Sequence, residues 1–177
     1  MAYRTEKMVK IVNFEKGVEV GSNNYFNARS NDSINFLRVG DLASLGNTYI
    51  LKYIAKNLAK ETDILLALDG APGRNAIGIK GAFSSSLYRL NCSNEFKGLV
   101  YFSLNSNLNK QIISNYSHGT TIVHASKCIN FLEIPICSAD EINILNTLFK
   151  LIILTKKKMT IFKKTKNILL NKYFISQ

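Results

Sequence analysis

The chain has 177 residues, 46% hydrophobic and 20% charged, with only two prolines, which excludes a disordered or collagen-like chain and fits one domain plus an appended element. The formal net charge of +11 favours a polyanionic partner, most often nucleic acid, although a lysine-rich coding bias produces the same excess. No apolar stretch approaches the ~18 residues of a membrane span, residues 1–16 lack a secretion signal's apolar core, and Cys92, Cys128 and Cys137, odd in number and widely spaced, suit a reducing cytoplasm.

In chain order, weak alternation over residues 8–14 predicts a first strand. Residues 21–33 form a polar stretch. Short strands follow at 35–39 and 48–50, then helical spacing over 51–60 at Leu51, Ile54 and Leu58. The apolar run 63–68 ends at Asp69-Gly70, and 76–79 and 85–90 read as further strands. Residues 94–115 read as helical, with Leu99, Phe102, Leu108 and Ile112 as the stripe, and 131–136 returns to strand. Short strands with few helices predict an α/β (mixed α+β) domain with a twisted sheet.

A compositional shift follows Pro135. Residues 1–137 carry 15 basic and 10 acidic residues, whereas 138–177 carry eight Lys against Asp140 and Glu141. The shift divides the chain into a body, 1–137, and a tail, 138–177. Ser138 followed by Glu141 is a capping box, and neither Gly nor Pro occurs beyond it, so the tail reads as one long C-terminal helix. Leu145, Leu148, Ile152, Met159, Phe162, Leu169 and Tyr173 mark an apolar seam, interrupted by Thr155 and Lys166. Some 35 residues would span roughly 50 Å, more than a compact domain can cover. The tail could fold back on its own body, present a solvated lysine face, or lie on an anionic membrane. Pairing with a second helix accounts best for the length and bulk of the seam.

Searches for chemistry return little. In the segment Gly70 to Gly81, Ile79 separates Gly78 from Lys80, so the phosphate-loop order Gly-Lys-Ser/Thr fails and a glycine turn is the better reading. His118 and His124 have no Cys or carboxylate at ligand spacing. Ser84, Ser85 and Ser86 lack the glycine elbow of a hydrolase. Neither an amino-methylation motif nor a carboxylate–lysine nuclease core is present.

Several segments, read in order, resemble one family. Met8-Val9-Lys10-Ile11-Val12-Asn13-Phe14-Glu15-Lys16-Gly17 resembles its opening strand and turn, and Phe36-Leu37-Arg38-Val39-Gly40-Asp41-Leu42 its "hydrophobic-Arg-x-x-Asp-hydrophobic" segment. Asp63-Ile64-Leu65-Leu66 through Gly70 and Gly73 is similar to its "Gly-Asp-Ile-Leu-x-x-x-x-Gly-x-x-Gly" element, with Thr62 where Gly is usual. The strand from Ser84 to Leu90, Gly119-Thr120-Thr121, and Leu132-Glu133-Ile134-Pro135-Ile136 before the long helix complete the resemblance. The family is the specificity (S) subunit of type I restriction–modification systems. The chain departs from it at the helix entry, where Ser138-Ala139-Asp140-Glu141 replaces the family's Glu-Gln pair.

The resemblance implies a half-length subunit, with residues 1–137 as one target-recognition domain and 138–177 as the helix for coiled-coil-like pairing and methyltransferase docking. It implies a non-catalytic, cytoplasmic reader of double-stranded DNA. This reader would position a type I methyltransferase (M) subunit and possibly a restriction (R) subunit, as a homodimer or paired with another S half. S-adenosylmethionine is expected on the methyltransferase and no cofactor on this chain. A stand-alone DNA-binding module or an inactive truncated cassette is the alternative. Arg reads guanine and Asn reads adenine through paired hydrogen bonds. The DNA-binding candidates are therefore Tyr25, Arg29, Arg38, Arg74, Asn75, Lys80, Thr120 and Thr121. Arg38 and Asp41 could instead form an ion pair or close a turn.

Overall fold

A computed structural model describes residues 4–117 and 125–175. Its ten strands are β1 (Thr5–Lys7), β2 (Asn13–Lys16), β3 (Ser33–Leu37), β4 (Tyr49–Leu51), β5 (Leu58–Ala59), β6 (Ile64–Ala67), β7 (Asn75–Ala76), β8 (Gly81–Phe83), β9 (Leu87–Asn91) and β10 (Glu133–Pro135). The helices are α1 (Lys97–Leu104), α2 (Asn107–Asn115) and α3 (Ala139–Leu170). Several small sheets with short helices, followed by one long helix, make the mixed α/β class that the sequence predicts.

The apolar run around β6 organises the core. Its strand sits inside the sheet β2-β9-β6-β7 and alternates between two cores. Ile64, Leu66 and Leu68 face a large core with Met8, Leu90, Val100, Leu104 and Phe149. Leu65 and Ala67 face a second core with Leu37, Phe83 and Leu87. The run is continuous because both faces of this strand are covered. A second sheet, β4-β3-β8-β5, supplies the other wall, and its β3–β8 pair is parallel. β1 pairs with β10, so the chain's start closes onto the strand that precedes the long helix.

Four local expectations are corrected. The strand expected at 8–14 is a single 3-10 turn at Met8–Lys10, and pairing begins only at Asn13. The buried Met8 donates its amide to Leu132 O, and its carbonyl accepts from the amides of Ile11 and Val12, so the chain turns between two sheets. The helix expected at 51–60 is one 3-10 turn, Lys52–Ile54, followed by β5. Edge pairing of Leu58 and Ala59 with β8 overrides local helical spacing there. The strand expected at 76–79 is only Asn75–Ala76.

The helix expected at 94–115 is two helices. Asn105 ends α1, and the Ser106 hydroxyl accepts from the Asn109 amide to start α2. Fully buried Asn109 donates to Ser103 O and Glu133 O and accepts from Glu133 N, tying the break to β10. Leu108, assigned to the stripe, is consequently exposed. The glycine turn is as expected: Gly70 and Gly73 hold φ of 78° and 85°, which L side chains rarely adopt.

The long helix begins at the expected cap. The Ser138 hydroxyl accepts from the Glu141 amide, and the Glu141 carboxylate accepts from Ser138 N at 2.7 Å. Its first half is seated on α1. The Gly98 amide donates to Asn146 Oδ1 at 2.7 Å, Asn146 also donates to Glu95 O, and the Phe149 ring meets Tyr101 edge-on. Helix backbones approach this closely because residue 98 has no side chain: a Cβ there would lie 2.4 Å from the Leu145 carbonyl. Lys156 closes the seat by donating to Ile77 O, and burial holds its ammonium pKa below the ordinary value. Beyond Lys156 the helix leaves the body.

Candidate nucleic-acid interface

The parallel β3–β8 pair sets a polar recess. Because Leu37 pairs with Phe83 in parallel, the residues that follow, Arg38 and Ser84, emerge at the same sheet end. Ser84 N donates to Leu37 O, and Val18 N donates to Phe83 O, which brings Glu19 to the same end. Glu19, Arg38, Val39, Gly40, Asp41, Ser84 and Ser86 line the recess.

Tyr25 folds back onto it from the loop before β3. Its ring packs 5.1 Å from Phe36, and its hydroxyl donates to Glu19. Burial, followed by the Glu19 contact, pushes its pKa up to about 12, so the hydroxyl remains a proton donor at neutral pH. The Arg38 guanidinium lies 5.6 Å from the Tyr25 ring centroid and donates to Thr48 Oγ1 at 2.8 Å. These contacts hold the Arg38 side chain while leaving the residue exposed.

Asp41 is occupied elsewhere. Its carboxylate accepts from the backbone amides of Arg38 and Gly46, both at 2.7 Å. Of the two roles considered for it, turn closure is the one formed.

Arg74 joins this edge: it is exposed, and its guanidinium donates to Val39 O at 3.4 Å. Arg38, Arg74 and Tyr25 therefore gather around one opening that offers cationic donors, serine hydroxyls and the Glu19 carboxylate. Such a mixture can meet both the acceptors and the donors of a base edge, and its cationic donors can meet the acceptor oxygens of a phosphate.

The other candidates lie apart. Asn75 exchanges amide hydrogen bonds with Asn105, at 3.1 and 3.2 Å, and also donates to Gly73 O. Its amide is thereby engaged inside the fold. Lys80 stands at the opposite end of β8, paired with Glu61 at 3.3 Å. Arg29 is exposed in the loop before β3. Thr120 and Thr121 lie outside the described residues.

Sequence reading missed Thr48 as the partner of Arg38, and Glu19, Ser84 and Ser86 as members of the recess. Only the parallel register, set by residues more than forty positions apart, unites them. It also missed an ion-pair cluster. Arg89 reaches Glu15 at 2.5 Å and Asp63 at 3.7 Å, while Lys97 reaches Asp63 at 3.0 Å. The hydrogen bonds from Arg89, then that from Asn91, hold the Glu15 carboxyl below its ordinary pKa. Every charge in the cluster is partnered, so its role is to join β2, β6, β9 and α1.

The seam residues divide along α3. Leu145 and Ile152 are half-buried beside the body, while Leu148, Met159, Phe162, Leu169 and Tyr173 are exposed, Phe162 at 77%. Among the described residues no helix is long and apolar enough to cross a membrane, and no group of His, Cys, Asp and Glu could hold a metal ion.

No family model and no curated protein sequence matches the chain. Solved structures do. The S subunit of a type I restriction–modification system from M. genitalium aligns with a TM-score of 0.67 and 14% identity, over 95% of this chain and 42% of that one. A chain from a structure concerned with assembly and conformational transition of the type I R-M system aligns at 0.63 and 12%, over 96% and 43%. The HsdS subunit from Thermoanaerobacter tengcongensis aligns at 0.61 and 13%, over 92% and 39%. The chain thus has the fold of one portion of these subunits and spans about two fifths of their length.

Proposed function

We propose that this chain is a half-length DNA sequence-specificity subunit. It reads one half-site of double-stranded DNA and positions a methyltransferase subunit, with which a restriction subunit can join. It performs no chemistry itself, and S-adenosylmethionine belongs to the methyltransferase. The reading assigns residues 1–137 to DNA and 138–177 to pairing and docking, in the cytoplasm.

One observation carries it: a fold likeness that spans nearly all of this chain but under half of each S subunit. The exposed apolar stretch beyond Lys156 supports a second helix as its cover. Pairing of two copies would present two identical readers and an inverted-repeat target. Within the body, the opening around Arg38, Arg74 and Tyr25 supports base contact, and the helix lysines support phosphate contact.

The test is a gel-shift series on a randomised duplex pool, with this chain alone, with the host's type I methyltransferase subunit, and with both. A specificity subunit enriches one split inverted repeat only when both proteins are present, and adenine methylation maps to the same sequence. Specific binding by the chain alone, unchanged by the methyltransferase, would refute the assignment.

A further inference from the structure

From Leu148 to Leu169 one flank of α3 alternates steps of four and three residues, and Tyr173, in the π-helical turn Asn171–Ile175, follows four residues on. On this stripe only Thr155 and Lys166 are polar. A sustained four-three alternation is a coiled-coil seam. The ways of pairing it with its own copy are few and can be compared layer by layer.

In a parallel pair each seam residue meets itself, which stacks Lys166 on the partner's Lys166. In an antiparallel pair whose two-fold axis passes between Thr160 and Ile161, Met159 meets the partner's Phe162 and Ile152 meets the partner's Leu169. Leu148 then meets the partner's Tyr173. The two polar positions meet each other, Thr155 against the partner's Lys166. Sliding by one heptad in either direction sets Lys166 against the partner's Leu148 or the partner's Phe162. The parallel pair also keeps its apolar layers apolar but stacks like charges, and among the antiparallel registers this one alone keeps every apolar layer apolar on both sides.

We propose that a second copy of this chain occupies the face in that antiparallel register, and that the Thr155–Lys166 layer fixes it. The proposal rests on the pairing read above and names its geometry.

Two independent features agree with it. Phe102 of α1 joins Leu148, Leu151, Ile152, Thr155 and Lys156 in lining an open, almost wholly apolar groove beside the helix. The register lays the partner's Leu169 and the partner's Tyr173 along this groove, which covers apolar ends exposed on each chain alone. The Thr155 hydroxyl already donates to Leu151 O at 2.8 Å. Its oxygen is left to accept from an ammonium, while the lysine stem packs on apolar neighbours. A lone polar layer of this kind costs stability but selects one alignment among near-equal alternatives.

Paired cysteines read the register directly, because facing seam positions fall within disulfide reach. T155C and K166C are prepared separately, then oxidised singly and as an equal mixture, with a second mixture of T155C and M159C oxidised beside it and the wild-type chain with its three native cysteines as baseline. The mixture is expected to give a T155C–K166C linked dimer, identified by peptide mass, that neither variant gives alone. Self-linked K166C means parallel pairing, a T155C–M159C link means a shifted register, and a dimer with no link means another interface; each overturns the proposal. Sedimentation of the wild-type chain at several concentrations separates the two levels. A persistent monomer refutes the pairing reading itself, whereas a dimer with the wrong link refutes only the register.

Discussion

Gly98→Ala tests how the long helix is seated. A Cβ at residue 98 would lie 2.4 Å from the carbon and oxygen of the Leu145 carbonyl and 2.5 Å from the Asn146 nitrogen. These are backbone atoms of α3, so no side chain can swing aside, and the helix must withdraw by roughly 1 Å to reach ordinary contact. Overpacking of this kind costs ~1–3 kcal/mol. Withdrawal also stretches the 2.7 Å bond from the Gly98 amide to Asn146, and a buried amide left unsatisfied costs a further ~1–3 kcal/mol. Ala is a better helix former than Gly by about 1 kcal/mol, which acts in the opposite direction. The net expectation is a loss of roughly 1–5 kcal/mol, read as a lower urea midpoint at unchanged slope. A variant as stable as wild type, or more stable by the propensity gain, would show that α3 is not seated against Gly98.

Three further outcomes are expected. Arg89 and Asn91 lower the Glu15 pKa, so the stabilisation they provide is complete above its ordinary value of 4.5 and is lost as pH falls through the depressed folded value. The urea midpoint of Glu15→Gln should therefore fall less than that of wild type between pH 7 and pH 3.5, and equal falls would refute the linkage. Once methylation mapping gives the target, Arg38→Ala should cut discrimination between cognate and mismatched duplex by ~1–3 kcal/mol in fluorescence anisotropy with the methyltransferase present, roughly five- to 150-fold. Asn75→Ala removes the donor to Asn105 Oδ1, while Asn105 still donates to Tyr101 O, and should cost ~1 kcal/mol of stability while leaving discrimination intact. A loss of discrimination in Asn75→Ala would return that residue to the DNA contacts.

What was legible in the sequence was periodic or capped. The tail was readable because Ser138 and Glu141 supply both halves of a cap and no breaker follows. The β6 run was readable because both faces of the strand are buried, leaving no polar residue to interrupt it. The break between α1 and α2 was not readable, since Asn109 acts through Glu133, which lies 24 residues away. Residues 51–60 misled because helical spacing there competes with an edge pairing to β8 that only the tertiary fold supplies. At the recess, Arg38 could be named from its segment, but its support by Tyr25 and Thr48 could not. For Asn75 the residue type is readable, but its hydrogen-bond partner Asn105, 30 residues on, is not.

The division of α3 into a seated half and a free half has a consequence for DNA. In the antiparallel pair the two Phe149 anchors stand 23 residues apart along the shared axis, about 35 Å at 1.5 Å per residue. One turn of B-DNA is 34–36 Å, the interval at which a two-fold protein meets equivalent groove positions on one side of a duplex. The proposed pairing would therefore set the two Phe149 anchors one turn apart, with the lysine-rich stretches between them. Those lysines, Lys157, Lys158, Lys163, Lys164 and Lys166, oppose pairing in free solution, because pairing brings two such sets of like charge together. Added salt screens that repulsion and should tighten the free dimer, yet it should weaken the DNA complex, where the same ammonium groups displace counterions from phosphate. Opposite salt dependences from one set of side chains are what distinguish a charged rod built to lie along a polyanion from one whose lysines merely keep it in solution.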